Sequence, residues 1–487
     1  MKRHSVGLAI ALAVFLVFIR AVNLEADPDP AITTDNAFFT DEGWHAGGAM
    51  AKLATGEWLL DTPYHNHILI MPLIPLIEYG TFKALGISLF SGRLPILLFS
   101  LLASFLIVAF AAKKDDEETK TEFVIPLAVF LVGTDYYFFG YSRLVFLDVP
   151  MLALGLLSLF LLARAMKEEN GSLASWFRRY AASGAVFALA FLAKPTAVIF
   201  ALAALLIIAF RTCVRGAFRK QELLGACFFL LAAAAVIGAS KLGINALVRN
   251  DTASAPYYLI SDKFVFHPLT ILGNYVSFFK NPLIRDNLLL VILAGASAAI
   301  ALTRAVRRRR FSYPDAALGS LALASCLVIG FFTYQPPRYF IVLIAPLAYF
   351  AATLPLNLNA VLSPRLKKIP AGGVCLTIAA ALLVLAAQAK NISKLADHVL
   401  HPRFSIRAVA QSVRADLGAP ALTGEISSTL ALANGLPFSY NGLNQEKPRY
   451  LISEGPMENP PPATVLLRSY DMLQNYMGLK VYVYREN

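Results

Sequence analysis

Long apolar stretches follow one another through most of this chain, and short basic runs close many of them. A bilayer core demands roughly 20 apolar residues in helical form, and about eleven stretches are read as spans. They lie at residues 6–22, 92–112, 122–140, 147–165, 181–194, 195–210, 222–243, 287–303, 315–333, 339–357 and 372–389. Of the 487 residues 57% are hydrophobic and 15% charged, against roughly 45–50% and about 25% in an ordinary soluble domain. A soluble enzyme, a disordered chain, a fibrous repeat and a disulfide scaffold are thereby excluded. What remains is an α-helical polytopic membrane protein.

The first stretch follows Lys2 and Arg3 and precedes Asn23-Leu24-Glu25-Ala26, which lacks the small-x-small pattern of signal cleavage, so it reads as an uncleaved anchor. At Lys194-Pro195 the apolar run breaks. Both flanks are basic, with Arg178 and Arg179 before and Arg211, Arg215, Arg219 and Lys220 after, so a tight hairpin of two short spans fits better than one long helix.

Lys and Arg number 43 against 31 Asp and Glu, a net charge of +12. The basic runs, such as Arg307-Arg308-Arg309-Arg310, flank apolar stretches, which argues for topology signals and anionic headgroups rather than nucleic acid. They place the N-terminus in the cytoplasm, with a plasma (inner) membrane as the expected location of the chain. Three segments then stand outside: residues 23–92, 244–286 and 390–487. The expected division is a transmembrane unit, 1–389, and a small extracytoplasmic α/β domain, 390–487. The latter mixes an amphipathic stretch at 405–417, turns at Asn434-Gly435 and Asn441-Gly442, and alternating strands at 464–468 and 480–484. The four cysteines, Cys213, Cys227, Cys326 and Cys375, show no metal-ligand spacing and imply no disulfide framework.

Candidate chemistry concentrates on the outer side. In Thr40-Asp41-Glu42-Gly43-Trp44-His45, spacing alone makes Asp41 and Glu42 first-turn acids favoured by the helix dipole. The functional alternative is a carboxylate at the membrane surface acting as general base. Asp148, before Val149-Pro150, reads either as the cap of a span or as an acid costly enough near hydrocarbon to mark a site. Arg93, Lys194, Lys241 and Arg338 stand at the outer rim; each is a snorkelling anchor or, if several converge, part of a phosphate clamp. His65 and His67 flank Asn66 ahead of Met71-Pro72-Leu73-Ile74-Pro75 and read as solvated loop histidines before metal ligands.

At these residues the chain resembles the GT-C glycosyltransferases of the protein O-mannosyltransferase and lipid A aminoarabinose transferase type. The resemblance covers about residues 1–350 and rests on the order of Asp41-Glu42, Pro72-Leu73, Gly92-Arg93-Leu94-Pro95, Asp148-Val149-Pro150, Lys194-Pro195 and Pro337-Arg338-Tyr339. It departs from that type where Trp44 and His45 stand near the acid pair in place of the usual Tyr, and where Met71 precedes Pro72-Leu73. The resemblance implies an inverting transfer of a sugar from a polyprenyl-phosphate donor to an acceptor hydroxyl of a lipid, glycan or protein. Asp41 would take the proton and Glu42 would position groups around it, with Asp148 as the third catalytic candidate. Arg338, Lys194, Arg93 and Lys241 would meet the donor phosphate, and Trp44, His45, His67 and Tyr339 would bind substrate. No cofactor is required, and a divalent metal stays open because some relatives use one. No nucleotide-binding motif is visible. A secondary transporter or lipid flippase is the rival reading, favoured by the break at Lys194-Pro195, and a non-catalytic scaffold is the third.

The topology is directly testable. A reporter active only in the cytoplasm, fused after Asn487, is expected to stay silent in cells; strong activity there would overturn the orientation.

Overall fold

The computed structural model describes residues 2–32, 41–58, 67–113, 123–167, 172–215, 220–248, 266–308, 312–332, 335–366, 372–418, 421–424, 427–436, 449–453, 456–457, 464–471 and 480–486. Thr40, His65, Asn66, Arg219, Arg309, Arg310 and the turn at Asn441-Gly442 lie outside them. In chain order the helices are α1 (Lys2–Ala21), α2 (Asp41–Thr55), α3 (His67–Ile70), α4 (Leu73–Leu85), α5 (Leu89–Ala112), α6 (Val124–Thr134), α7 (Tyr136–Tyr141), α8 (Asp148–Lys167), α9 (Leu173–Ala193), α10 (Val198–Arg215) and α11 (Lys220–Val248). Then come α12 (Pro268–Lys280), α13 (Pro282–Asp286), α14 (Leu288–Arg308), α15 (Tyr313–Ile329), α16 (Ile344–Leu366), α17 (Gly372–Ala387), α18 (Ala389–Leu400) and α19 (Ser405–Leu417).

A helix covers each of the eleven stretches expected to span. Among the described residues, six are long and apolar enough to cross alone, and α17 joined to its continuation, bent by 47°, makes a seventh. The count of eleven is therefore reached only by adding three shorter apolar helices, Gly7–Ala21, Val124–Thr134 and Tyr313–Ile329, and α9, whose first half carries Arg178 and Arg179.

Local chemistry sets several boundaries. Ser88 and Ser91 form a reciprocal capping box at the start of α5, each hydroxyl accepting from the other's backbone N–H. Asp135 separates α6 from α7 and caps the latter, its Oδ1 accepting from Phe138 N at 2.7 Å. Lys194 is extended and ends α9, with Pro195 opening a short 3-10 turn before α10. The chain reverses there. Lys194 lies against Asp148 at the start of α8. Arg211, late in α10, sits over the ring of Tyr313, whose hydroxyl donates to Met166 O near the end of α8. The break separates two oppositely directed helices, as the hairpin reading requires, although α9 begins earlier than the expected 181.

With lipid outside the bundle, helix association relies on close backbone approach and interhelical hydrogen bonds. A Cβ on Gly184 of α9 would stand 2.1 Å from Phe229 O of α11, so glycine there permits the contact. Ser158 of α8 and Ser183 of α9 each donate to the other's carbonyl, at 2.9 and 2.8 Å. Near the end of α1, the buried Arg20 donates to Ser104 Oγ at 3.0 Å and Val132 O at 2.7 Å and lies over the Phe138 ring.

Beyond α19 come β1 (Ala421–Gly424), α20 (Ser427–Asn434), β2 (Arg449–Ser453), β3 (Thr464–Asp471) and β4 (Lys480–Glu486). They make a four-stranded sheet of order β1-β2-β4-β3, parallel between β1 and β2 and antiparallel elsewhere. Ile452, Val481 and Val483 are buried in it, and α20 packs on α19 and on α2.

Candidate active site

Asp41 and Glu42 open α2, where the dipole favours acids. Their surroundings differ sharply. Glu42 is completely buried. Its Oε1 accepts from Arg93 Nε at 2.9 Å and from Val145 N at 3.0 Å, and its Oε2 from Arg93 Nη2 at 2.7 Å. Arg93 also donates through Nη1 to Leu24 O and Ala26 O, at 3.1 and 3.2 Å, and through Nη2 to Asp27 Oδ1 at 3.2 Å. A guanidinium has five N–H groups, and all five are occupied here. The expectation that Arg93 meets a donor phosphate is thereby corrected: buried and saturated, it has no donor left for a ligand.

Asp27 extends this network. Its Oδ2 accepts from Ile406 N at 2.9 Å, and its own N–H donates to Arg403 O at 2.7 Å. Burial pushes the Asp27 carboxyl up to about 6, against the opposing pull of Arg93. Glu78 of α4 is buried as well, and neither carboxyl oxygen finds a hydrogen-bond partner among the described residues. Burial, reinforced by the charge of Glu42, raises it well above the usual carboxylate range.

Asp41 instead faces a partly open rim. Its Oδ2 lies 2.6 Å from Arg338 Nη1, with the two side chains 21% and 22% exposed. Arg338 leaves the backbone in the 3-10 turn Pro337–Leu343, directly after Pro336 and Pro337, and its guanidinium lies 5.2 Å from the Phe146 ring centroid and 5.9 Å from that of Tyr339. Asp148 opens α8, and its Oδ1 lies 2.6 Å from Lys194 Nζ, which is itself 4.4 Å from the Tyr339 ring centroid. Two acid–base pairs thus meet across one tyrosine. His45 stands edge-on to Phe146 at 6.2 Å and places its Nδ1 3.3 Å from Nδ1 of His67.

The structure therefore gathers Asp41, Arg338, Asp148, Lys194, Tyr339, His45 and His67 in one place. Trp44 is partly buried on the same turn of α2 as His45. Lys241 is on the exposed side of α11. Among the described residues no three His, Cys, Asp or Glu side chains converge as metal ligands. Sequence reading missed Asp27, Phe146 and Glu78. The run Asp27-Pro28-Asp29-Pro30 after the first span was a usable signal for the first; Phe146, two residues before Asp148, had none of its own.

A family model described as dolichyl-phosphate-mannose-protein mannosyltransferase matches residues 70–238. In structure the chain is similar to ArnT from Cupriavidus metallidurans bound to undecaprenyl phosphate, with a TM-score of 0.63 and 13% identity over 98% of this chain and 97% of that one. The apo state of the same protein gives 0.64 and 14% over the same shares. The archaeal oligosaccharyltransferase AglB from Archaeoglobus fulgidus, in complex with an inhibitory peptide and a dolichol-phosphate, gives 0.50 and 12% over 88% and 64%. No protein of curated function matches the chain in sequence. The fold is thus like that of ArnT, in keeping with the sequence resemblance.

The Asp27 shift has a defined sign. The unfolded carboxyl releases its proton near 3.8 and the folded one near 6. Its contribution to stability is therefore complete below the lower value and lost as pH rises through the upper. In detergent, the thermal midpoint of the natural protein is expected to fall from pH 4 to 7 more steeply than that of Asp27→Asn; parallel slopes would contradict the assignment.

Proposed function

We propose that this chain transfers a sugar from a polyprenyl-phosphate carrier to an acceptor hydroxyl, with inversion, at the end of the bundle that carries Asp41. The observation that carries the reading is the cluster of two cations and two acids around Tyr339, with Asp41 held 2.6 Å from Arg338 and Lys194 2.6 Å from Asp148. The fold shared with ArnT, whose structure holds undecaprenyl phosphate, supports it.

Asp41 accepts the proton of the acceptor hydroxyl as that oxygen attacks the anomeric carbon. The bond from that carbon to the phosphate oxygen breaks, and the polyprenyl phosphate leaves. Arg338 and Lys194 meet the charge that develops on the departing phosphate, where fixed donors act most strongly. An arriving phosphate competes with Asp41 for Arg338, so donor binding itself releases the carboxylate for its role as base. Asp148 holds Lys194 in position. Tyr339, His45, His67 and Trp44 form the walls against which sugar and acceptor pack. In this reading the leaving group is neutralised by side chains, without a resident cofactor, and the site faces the outside of the inner membrane. The sugar is a hexose or pentose, and the acceptor a lipid, glycan or protein.

Purified protein incubated with labelled polyprenyl-phosphate sugars and candidate acceptors is expected to form a new glycosidic bond; movement of a solute with no bond formed would favour a transporter instead.

Asp41→Asn is expected to lower kcat by a factor of about 10²–10⁴ with yield and melting temperature preserved, because Asn suits a helix start about as well as Asp. Near-normal turnover would remove Asp41 as the base.

Arg338→Lys keeps the charge but loses the planar fork. Donor affinity should weaken by on the order of 1.5–3 kcal/mol, read as a raised donor KM, while acceptor KM stays close to normal. Unchanged donor kinetics would take Arg338 out of the phosphate site.

A further inference from the structure

The helix that carries Asp41 is gripped from the C-terminal part of the chain at two separate points. At the first, α20 presses its start against the first turn of α2. Ser427, Ser428 and Thr429 are fully buried there. A Cβ on Gly43 would lie 2.1 Å from Thr429 N and 2.2 Å from Ser428 C, both backbone atoms, so no larger residue fits without α20 retreating. The Gly43 N–H, one of the first-turn donors a helix leaves without an internal partner, donates to Thr429 Oγ1 at 3.1 Å. At the second point, the start of α19 meets the turn after α1. Asp27 links Ile406 N and Arg403 O to Arg93, and through Arg93 to Glu42. Arg407 adds an ion pair to Glu25 at 2.5 Å.

We infer that the C-terminal segment is a structural part of the catalytic centre, and that Thr429 is a positioning residue that fixes the first turn of α2 and so the aim of Asp41. The inference rests on the sugar-transfer reading for its kinetic consequence, but its structural basis is independent of it. Asp41 lies two residues from Gly43, within one helical turn. Arg93, at the start of α5, holds that turn through Glu42, and Thr429, at the start of α20, holds it through Gly43. Loosening one hold displaces the base relative to the acceptor hydroxyl, and small misplacements cost rate more than binding.

The test uses the full chain. Thr429→Val keeps the shape of the side chain and removes the hydroxyl. The expected result is a kcat about tenfold lower, the worth of one buried hydrogen bond, with donor and acceptor KM unchanged. Thr429→Ser retains Oγ and should restore kcat. Gly43→Ala should lower kcat further. Hydrogen exchange across 41–55, followed by mass spectrometry, should speed up at the start of α2 in Thr429→Val and not in Thr429→Ser. Wild-type kcat in Thr429→Val, equal losses in the Val and Ser variants, or unchanged exchange in Thr429→Val would each overturn the inference. If the natural protein transfers no sugar, the functional reading fails, while the exchange comparison still decides whether Thr429 holds α2.

Discussion

Placing a guanidinium inside a packed protein costs several kcal/mol unless its N–H groups find acceptors and its charge finds a partner. Arg93 meets both conditions, with Glu42 and Asp27 as anions and the carbonyls of Leu24 and Ala26 completing the set. That requirement ties together the turn after α1, the first turn of α2 and the start of α5. Val145 N joins through Glu42, which brings in the segment leading to Phe146 and Asp148. The rim pairs are placed by this buried centre, since Asp41 shares a helical turn with Glu42 and Phe146 adjoins Val145.

The two kinds of ion pair differ in what they can do. In the buried centre every Arg93 N–H has an acceptor and each oxygen of Glu42 and Asp27 accepts at least one hydrogen bond, so exchange with a ligand is unfavourable. At the rim Asp41 and Arg338 are about one-fifth exposed, so water reaches the pair, and an anion competing for Arg338, as the proposed function requires, meets a partly hydrated cation. The neighbouring Phe146 and Tyr339 faces favour a cation. A rigid interior next to an exchangeable rim is what a preorganised charge-stabilising site requires.

Much of the architecture was legible in the amino-acid sequence because lipid leaves few choices: apolar length and flanking bases mark helices, and the break at Lys194-Pro195 marks a reversal. Of the four strands of the C-terminal sheet, β3 and β4 were legible from alternation and extend past the expected ends, whereas β1 and β2, four and five residues long, were not. Candidate acids and bases could be named for the same reason that they are expensive near hydrocarbon. Their pairing could not. Asp41 meets Arg338 across nearly the whole membrane unit, and Asp148 meets Lys194 through an intervening pair of helices. Arg93 looked like a rim cation because its acceptors, at residues 24, 26, 27 and 42, come together only in three dimensions. The count of eleven spans is not established by the helices themselves, because α6 and α15 are short and α9 is partly polar, so hydropathy alone does not fix which helices cross.

Arg20 gives the order of synthesis a physical meaning. It sits near the end of α1, yet its acceptors lie 84 and 112 residues later, at Ser104 and Val132. At roughly 5–20 residues per second, the ribosome needs about 6–20 s to produce the last of them. Throughout that interval α1 must wait in the translocon or the bilayer with a charge it cannot yet bury. A long side chain at a span end can bridge the delay by reaching toward the headgroups. The emergence of α5 and α6 then draws it inward, so that the charge which first pins α1 to the membrane surface later secures it to the bundle.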